Sequence, residues 1–329
     1  MFQSFLTYKV KYPLILIITM FMVCSCSADD SDYLEKKENE EQPISETQDT
    51  ICRVLIIGNS LARDAFSYVP SILEEICPGL SINMEIMYVS GNPLKTHWSY
   101  IVNESNKFVW DKYSSEVGHW TSRAETGAPQ IVSSLNWDLV ILQEGSVNAR
   151  YYESTQPYVS NIVEYVKSIQ PNTIFAYMII PSLPDGAASL GTMTSDDVWK
   201  MNVETARQLL DEEAVGFLLP CGTAIQNARK TSLASFGYWG QLTYDGRHLQ
   251  EGIPCLVDAY TAAESILKIL SIDSSIEKST IRVTQKWVYS INALGRHGFV
   301  LEGSDSDYEL AKYCALQAID YPYELIPRQ

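Results

Sequence analysis

The chain is short of basic residues. Its 329 residues hold 24 Lys and Arg against 40 Asp and Glu, a formal net charge of -16 at pH 7. Phosphate backbones are gripped by clustered Lys and Arg, so this balance argues against nucleic acid as a partner. It argues equally against adhesion to an anionic bilayer through a basic patch. Histidine is scarce: His97, His119, His248 and His297 are the only four. A reaction that needs an imidazole base therefore has few places to find one. No CxxC pair and no Cys/His cluster occurs, which removes the usual spacing of a zinc site. No internal repeat is present. The apolar stretch Leu14–Val23 is too short to span a bilayer comfortably.

That stretch follows Lys9 and Lys11 and precedes Cys24-Ser25-Cys26, which fits the apolar region of a secretory signal. Val23-Cys24-Ser25-Cys26 resembles a bacterial lipobox, in which a small residue precedes the cysteine that becomes lipidated. Ser25 makes Cys26 the candidate. A plain signal peptide or an uncleaved anchor are the alternatives. Ser27-Ala28-Asp29-Asp30 resembles the acidic surface-export signal of some Gram-negative lipoproteins. The expectation is a signal peptide over residues 1–25 and a lipid on Cys26. The protein would then sit in the outer membrane of a Gram-negative bacterium, periplasmic or surface-exposed, and touch the membrane only through that lipid. Residues 26–50 are acidic and nearly free of apolar side chains, so they read as a flexible tether. The folded domain is expected over 51–329. Its five cysteines, Cys52, Cys77, Cys221, Cys255 and Cys314, are widely spaced. They read as small buried apolar residues, with one disulfide left open in an exported protein.

From Ile51 onward short apolar runs alternate with amphipathic ones. Strands are expected at Cys52–Gly58, Leu80–Val89, Trp137–Gln143, Thr173–Ile180 and Val215–Leu219. Helices are expected at Leu61–Cys77, Pro93–Val102, Pro129–Leu135, Thr155–Ile169, Ser195–Glu213 and Gly252–Leu270. Lys107–Ser122 reads as an inserted hairpin, and the chain after 271 as mostly helical. Strands alternating with helices imply a three-layer α/β/α sandwich around a five-stranded parallel sheet, flavodoxin-like in type. Ligands of such sheets bind beyond the carboxyl ends of the strands. Ser60, Gly91 and Gln143-Glu144 each lie just past such an end.

Gly58-Asn59-Ser60 poses the central question, because a serine at that place can be a nucleophile or can simply cap the next helix. A serine hydroxyl is a poor nucleophile at neutral pH without a base. Tyr244-Asp245-Gly246-Arg247-His248-Leu249 offers one. The three-residue spacing lets Asp245 accept from one ring nitrogen of His248 while the other faces a pocket. Asp64 and Arg63 read as solvated helix-start residues, and His297 as a loop residue. The 20 Tyr and seven Trp are mostly core filling, with some available to line a sugar-binding cleft.

The order of these blocks resembles the SGNH/GDSL hydrolase superfamily over roughly residues 51–270. Gly58-Asn59-Ser60 stands at its Gly-Asp-Ser block, Ser90-Gly91-Asn92 at its glycine block and Asp245-Gly246-Arg247-His248 at its last block. The likeness is closest to a branch of exported bacterial lipoproteins with a Gly-Asn-Ser first block, a His-Trp pair (His97-Trp98) and Leu-Gln at the third strand. The resemblance implies Ser60 as nucleophile, His248 as general base and Asp245 as its orienting carboxylate. It implies an oxyanion hole from the N–H groups of Ser60 and Gly91 and the side-chain amide of Gln143, which is one methylene longer than the usual Asn. It implies no metal and no organic cofactor. The expected activity is ester hydrolysis, with O-acetylated glycans or small esters outside the cell as substrates. A lipase or thioesterase is the alternative enzyme, and a catalytically weak glycan-binding lipoprotein the non-enzymatic one.

Overall fold

The computed structural model describes residues 50–283 and 300–326. The expected signal peptide, Cys26, the tether and His297 lie outside those residues. In chain order the elements are β1 (Thr50–Gly58), α1 (Ser60–Phe66), α2 (Val69–Ile76), β2 (Leu80–Tyr88), α3 (Leu94–Val102), β3 (Phe108–Ser114), β4 (Thr121–Thr126), α4 (Ala128–Val132) and β5 (Leu139–Leu142). They continue with α5 (Tyr152–Thr155), α6 (Tyr158–Ile169), β6 (Ile174–Met178), α7 (Ser195–Asp211), β7 (Phe217–Leu219), α8 (Cys221–Arg229), α9 (Ile253–Ile269) and α10 (Asp305–Asp320).

One sheet runs in the order β4-β3-β2-β1-β5-β6-β7. The five strands from β2 to β7 are mutually parallel. Successive residues of β1 serve opposite faces, as the period of two requires. Val54 and Ile56 join one core with Ala62, Phe66, Ile72, Leu256, Tyr260 and Ala311. Leu55 and Ile57 join the other with Leu94, Ile131, Ile162, Val166 and Val203. Helices therefore cover both faces, and the α/β/α sandwich expected from the alternation is the observed fold. On the first face α9 is buried at every position from Ile253 to Leu267. A helix apolar nearly all round belongs inside, and α9 is wedged between the sheet and its neighbouring helices.

The sheet has seven strands, not five. The other two form a hairpin, of which the expected segment Lys107–Ser122 holds β3 but only the first two residues of β4. Its inner strand pairs antiparallel with Asn83–Tyr88 of β2 and its outer strand closes the edge. The expected helix Leu61–Cys77 is broken in two around Ser67 and Tyr68. Pro70 occupies the first turn of α2, where a missing N–H is tolerated, and it could not continue α1. Likewise α6 starts only after Pro157. The helix α8 was not expected. After residue 271 the described chain holds a short turn of 3-10 helix at Ile276–Lys278 and then α10. Cys52, Cys221, Cys255 and Cys314 are buried, Cys77 is partly so, and none of the five is disulfide-bonded.

Candidate active site

The turn after β1 is built around Asn59. Its side chain accepts from the N–H of Leu61 at 3.1 Å, so Asn59 is the cap of α1 and Ser60 is not. Its amide also donates to the carbonyl of Asn92 at 3.0 Å, and its backbone N–H donates to Oε1 of Gln143 at 2.8 Å. An aspartate here could cap the helix but could not donate to Asn92. One side chain thus ties the serine turn to the loop holding Gly91. Gly58 is required by the same packing, since a Cβ there would lie 2.5 Å from Gln143 Oε1.

Ser60 is left with its hydroxyl facing the last block. Ser60 Oγ lies 2.8 Å from His248 Nε2, and His248 Nδ1 lies 2.7 Å from Asp245 Oδ2. A carboxylate only accepts, so Nδ1 carries the proton and Nε2 is the acceptor for the serine hydroxyl. The other carboxylate oxygen of Asp245 accepts from the backbone N–H of Arg247 at 2.9 Å and of His248 at 2.7 Å. Partial burial pushes the Asp245 carboxyl up, but the His248 ring and these two N–H groups outweigh it and hold it below the ordinary value. The acid is therefore ionised where it orients the imidazole.

Gly91 sits exposed on the neighbouring rim with φ +63°, a conformation that glycine adopts without strain. Gln143 is turned differently from the expectation of an oxyanion donor. It is fully buried, its Oε1 is bound by Asn59 and its Nε2 donates to the carbonyl of Glu144. The extra methylene lets the side chain fold back beneath the serine turn, where it braces the backbone. Glu144 is also buried, and its Oε1 accepts from Leu94 N at 2.9 Å and Gly145 N at 2.6 Å. Burial pushes its carboxyl up to about 7 against those two bonds. His97 is buried beneath the same turn, with Nε2 2.9 Å from the Gly58 carbonyl and Nδ1 3.1 Å from that of Pro93. Burial lowers its pKa, so this ring is a neutral prop for the backbone and no base.

Two residues after the serine are not solvated as expected. Arg63 makes a bidentate pair with the buried Asp111 on β3, at 2.7 and 2.9 Å, while its guanidinium lies 3.6 Å over the Tyr88 ring. Asp64 is buried and accepts from the N–H of Leu249 at 3.1 Å. Further along, Tyr68 donates to the buried Glu251. Asp64 and Tyr68 thus clamp the segment just after His248 onto α1, which carries Ser60, and onto the turn that follows it. The signal in the sequence was a charged pair inside the otherwise apolar Leu61-Ala62-Arg63-Asp64-Ala65-Phe66. Its partners, at Asp111 and Leu249, are too distant in sequence to be read. Among the described residues no group of three or more His, Cys, Asp or Glu is gathered to hold a metal ion.

A family model described as a domain of unknown function, DUF4886, matches residues 53–289, a span that includes all of these groups. The chain belongs to the DUF4886 family. A DUF4886 family protein from Bacteroides uniformis shares the fold, with a TM-score of 0.67 at 20% identity over 84% of this chain and 97% of that one. Two looser likenesses are to a candidate GDSL-like lipase from Parabacteroides merdae and a candidate SGNH hydrolase from Slackia heliotrinireducens. The first has a TM-score of 0.42 at 16% identity over 68% of this chain and 96% of that chain. The second has a TM-score of 0.45 at 17% identity over 66% of this chain and 100% of that chain. No curated protein matches this DUF4886 member.

Proposed function

We propose that the protein is a serine ester hydrolase. One observation carries the reading: Asp245, His248 and Ser60 form a continuous hydrogen-bonded chain, with links of 2.7 and 2.8 Å, at the carboxyl edge of a parallel sheet. In this reading Ser60 Oγ attacks the acyl carbonyl and its proton passes to His248 Nε2. Asp245 stabilises the imidazolium without taking the proton. The N–H groups of Ser60 and Gly91 face the oxyanion. The tetrahedral intermediate collapses, and the leaving alcohol takes the proton from His248. Water then attacks the acyl-serine by the same shuttle and releases a carboxylic acid and Ser60. No step calls on a metal or organic cofactor.

O-acetyl groups on glycans outside the cell are the proposed substrates, reached from a lipid anchor at Cys26. Exposed aromatic rings beside the triad support a sugar ligand, as argued below. Ester hydrolysis by wild type and Ser60→Ala tests the reaction. Wild-type turnover of vinyl acetate should fall about 1,000-fold or more in the variant. Equal turnover in both would refute it. A rate that climbs steadily from acetate to long-chain esters would favour a lipase or thioesterase instead.

A further inference from the structure

The loop leading to the triad carries three large rings that the fold leaves in solvent. Tyr238 is 88% exposed, Trp239 45% and Tyr244 37%. They are nevertheless held by a tight backbone. Tyr238 N–H donates to Gln250 Oε1 at 3.2 Å, Trp239 N–H to the Thr243 carbonyl at 2.9 Å, and Thr243 N–H to the Gly240 carbonyl at 3.0 Å. A Cβ at Gly237 would lie 2.5 Å from the Thr243 carbonyl, so only glycine closes this turn. Gln241 and Leu242 both adopt left-handed backbone, with φ 49° and 73°, and Leu242 is buried as the anchor. Consecutive non-glycine residues in that region are strained, and such strain persists where the surroundings over-determine it.

The rings are aligned with the catalytic groups. A Cβ on Gly246 would stand 3.3 Å from the Trp239 indole, so that ring lies against the turn joining Asp245 to His248. The Tyr244 ring stacks on the His248 imidazole, with centroids 5.7 Å apart and planes 19° apart. We infer that Trp239 and Tyr244 form a stacking platform for a neutral sugar ring, which presents its ester to Ser60. This rests on the ester hydrolase reading. A pyranose offers a flat C–H face that packs on an aromatic ring while its hydroxyls stay in water, and amphipathic rings suit such half-wet contacts. An acyl chain needs a continuous apolar wall. Here the rings are interleaved with the exposed Asp245 and Arg247. The net charge of -16 disfavours a polyanionic glycan.

The test compares three esters, vinyl acetate, vinyl octanoate and glucose pentaacetate, on wild type, Trp239→Ala and Trp239→Phe. The ratio of kcat/KM for glucose pentaacetate to that for vinyl acetate should fall about tenfold in W239A, through KM, and W239F should restore most of it. An unchanged ratio overturns the platform. So does a loss confined to vinyl octanoate, which would assign the rings to an acyl chain. Binding is read separately, from tryptophan fluorescence of Ser60→Ala titrated with glucose pentaacetate. A signal that vanishes when W239A is added supports the platform even if wild type turns over none of the esters, in which case the hydrolase reading alone fails. No signal in S60A overturns the platform.

Discussion

At the amino ends of β1, β5 and β6 a cleft of about 790 Å³ opens between Ile51, Arg53, Trp137, Gln170 and Ile272. At the opposite, carboxyl edge of the sheet lies the rim bearing Ser60, Gly91 and His248. The cleft at the amino ends holds the duller chemistry. Its charges answer each other: Arg53 pairs with Asp138 at 3.3 Å, and the Arg53 N–H donates to the same carboxylate at 2.8 Å. Gln170 and Thr173 are spent on the carbonyls of Leu135 and Trp137. At the other rim the polar groups are joined in a directed chain, with an ionised carboxylate behind an imidazole behind a hydroxyl. Strand polarity locates this site, because parallel strands place helix starts and loop side chains together at their carboxyl ends.

Substitutions at the two ends should separate sharply. Asp245→Asn should lower kcat on vinyl acetate by roughly 100- to 10,000-fold, since the amide can present the wrong partner to His248 Nδ1. Steady-state kinetics check this, and a loss below threefold would remove Asp245 from the chain. Asp64→Ala touches no substrate but orphans the buried N–H of Leu249. It should cost about 1–3 kcal/mol in urea unfolding and loosen the His248 loop. kcat should then fall about tenfold, while Asp64→Asn, which keeps an acceptor, recovers most of both. Arg53→Ala at the opposite end removes a partly exposed pair worth less than about 1 kcal/mol and should leave kcat where it was.

A third contrast concerns pH. Asp258 in the middle of α9 is fully buried, and burial pushes its carboxyl up to about 8, with Arg229 only partly opposing. Folded, this group keeps a proton that the unfolded chain loses above about pH 4. Folding therefore takes up a proton, and its contribution is fully present below the unfolded pKa and lost as pH rises toward about 8. The slope is at most about 1.4 kcal/mol per pH unit from this one group. Asp258→Asn should flatten the fall in unfolding free energy between pH 5 and pH 8, whereas Asp245→Asn, whose acid is held low, should not.

Much of this was legible in the chain. The parallel strands announced themselves as apolar runs between amphipathic ones. The meeting of Ser60 with the Asp245–His248 pair was legible because each lies within a few residues of a strand end or turn. What was not legible depends on long-range partners. β4 is almost wholly exposed and polar, so no alternation marks it as a strand. α8 starts on Cys221-Gly222 directly after Pro220, a poor helix signal, yet that glycine is demanded by packing, since a Cβ would come within 2.2 Å of the Ile180 carbonyl. Gln143 has the residue type of an oxyanion donor, but its extra methylene is used to reach backward to Asn59. Arg63 and Asp64 look solvated because their partners, Asp111 and Leu249, are 48 and 185 residues away.

The most direct test of the central claim is covalent. A fluorophosphonate probe reacts with a serine only when a base has activated its hydroxyl. Mass spectrometry of labelled wild type should place one adduct on Ser60, and Ser60→Ala should take up none. Equal labelling of the two proteins, or an adduct on another serine that survives the substitution, would contradict the account.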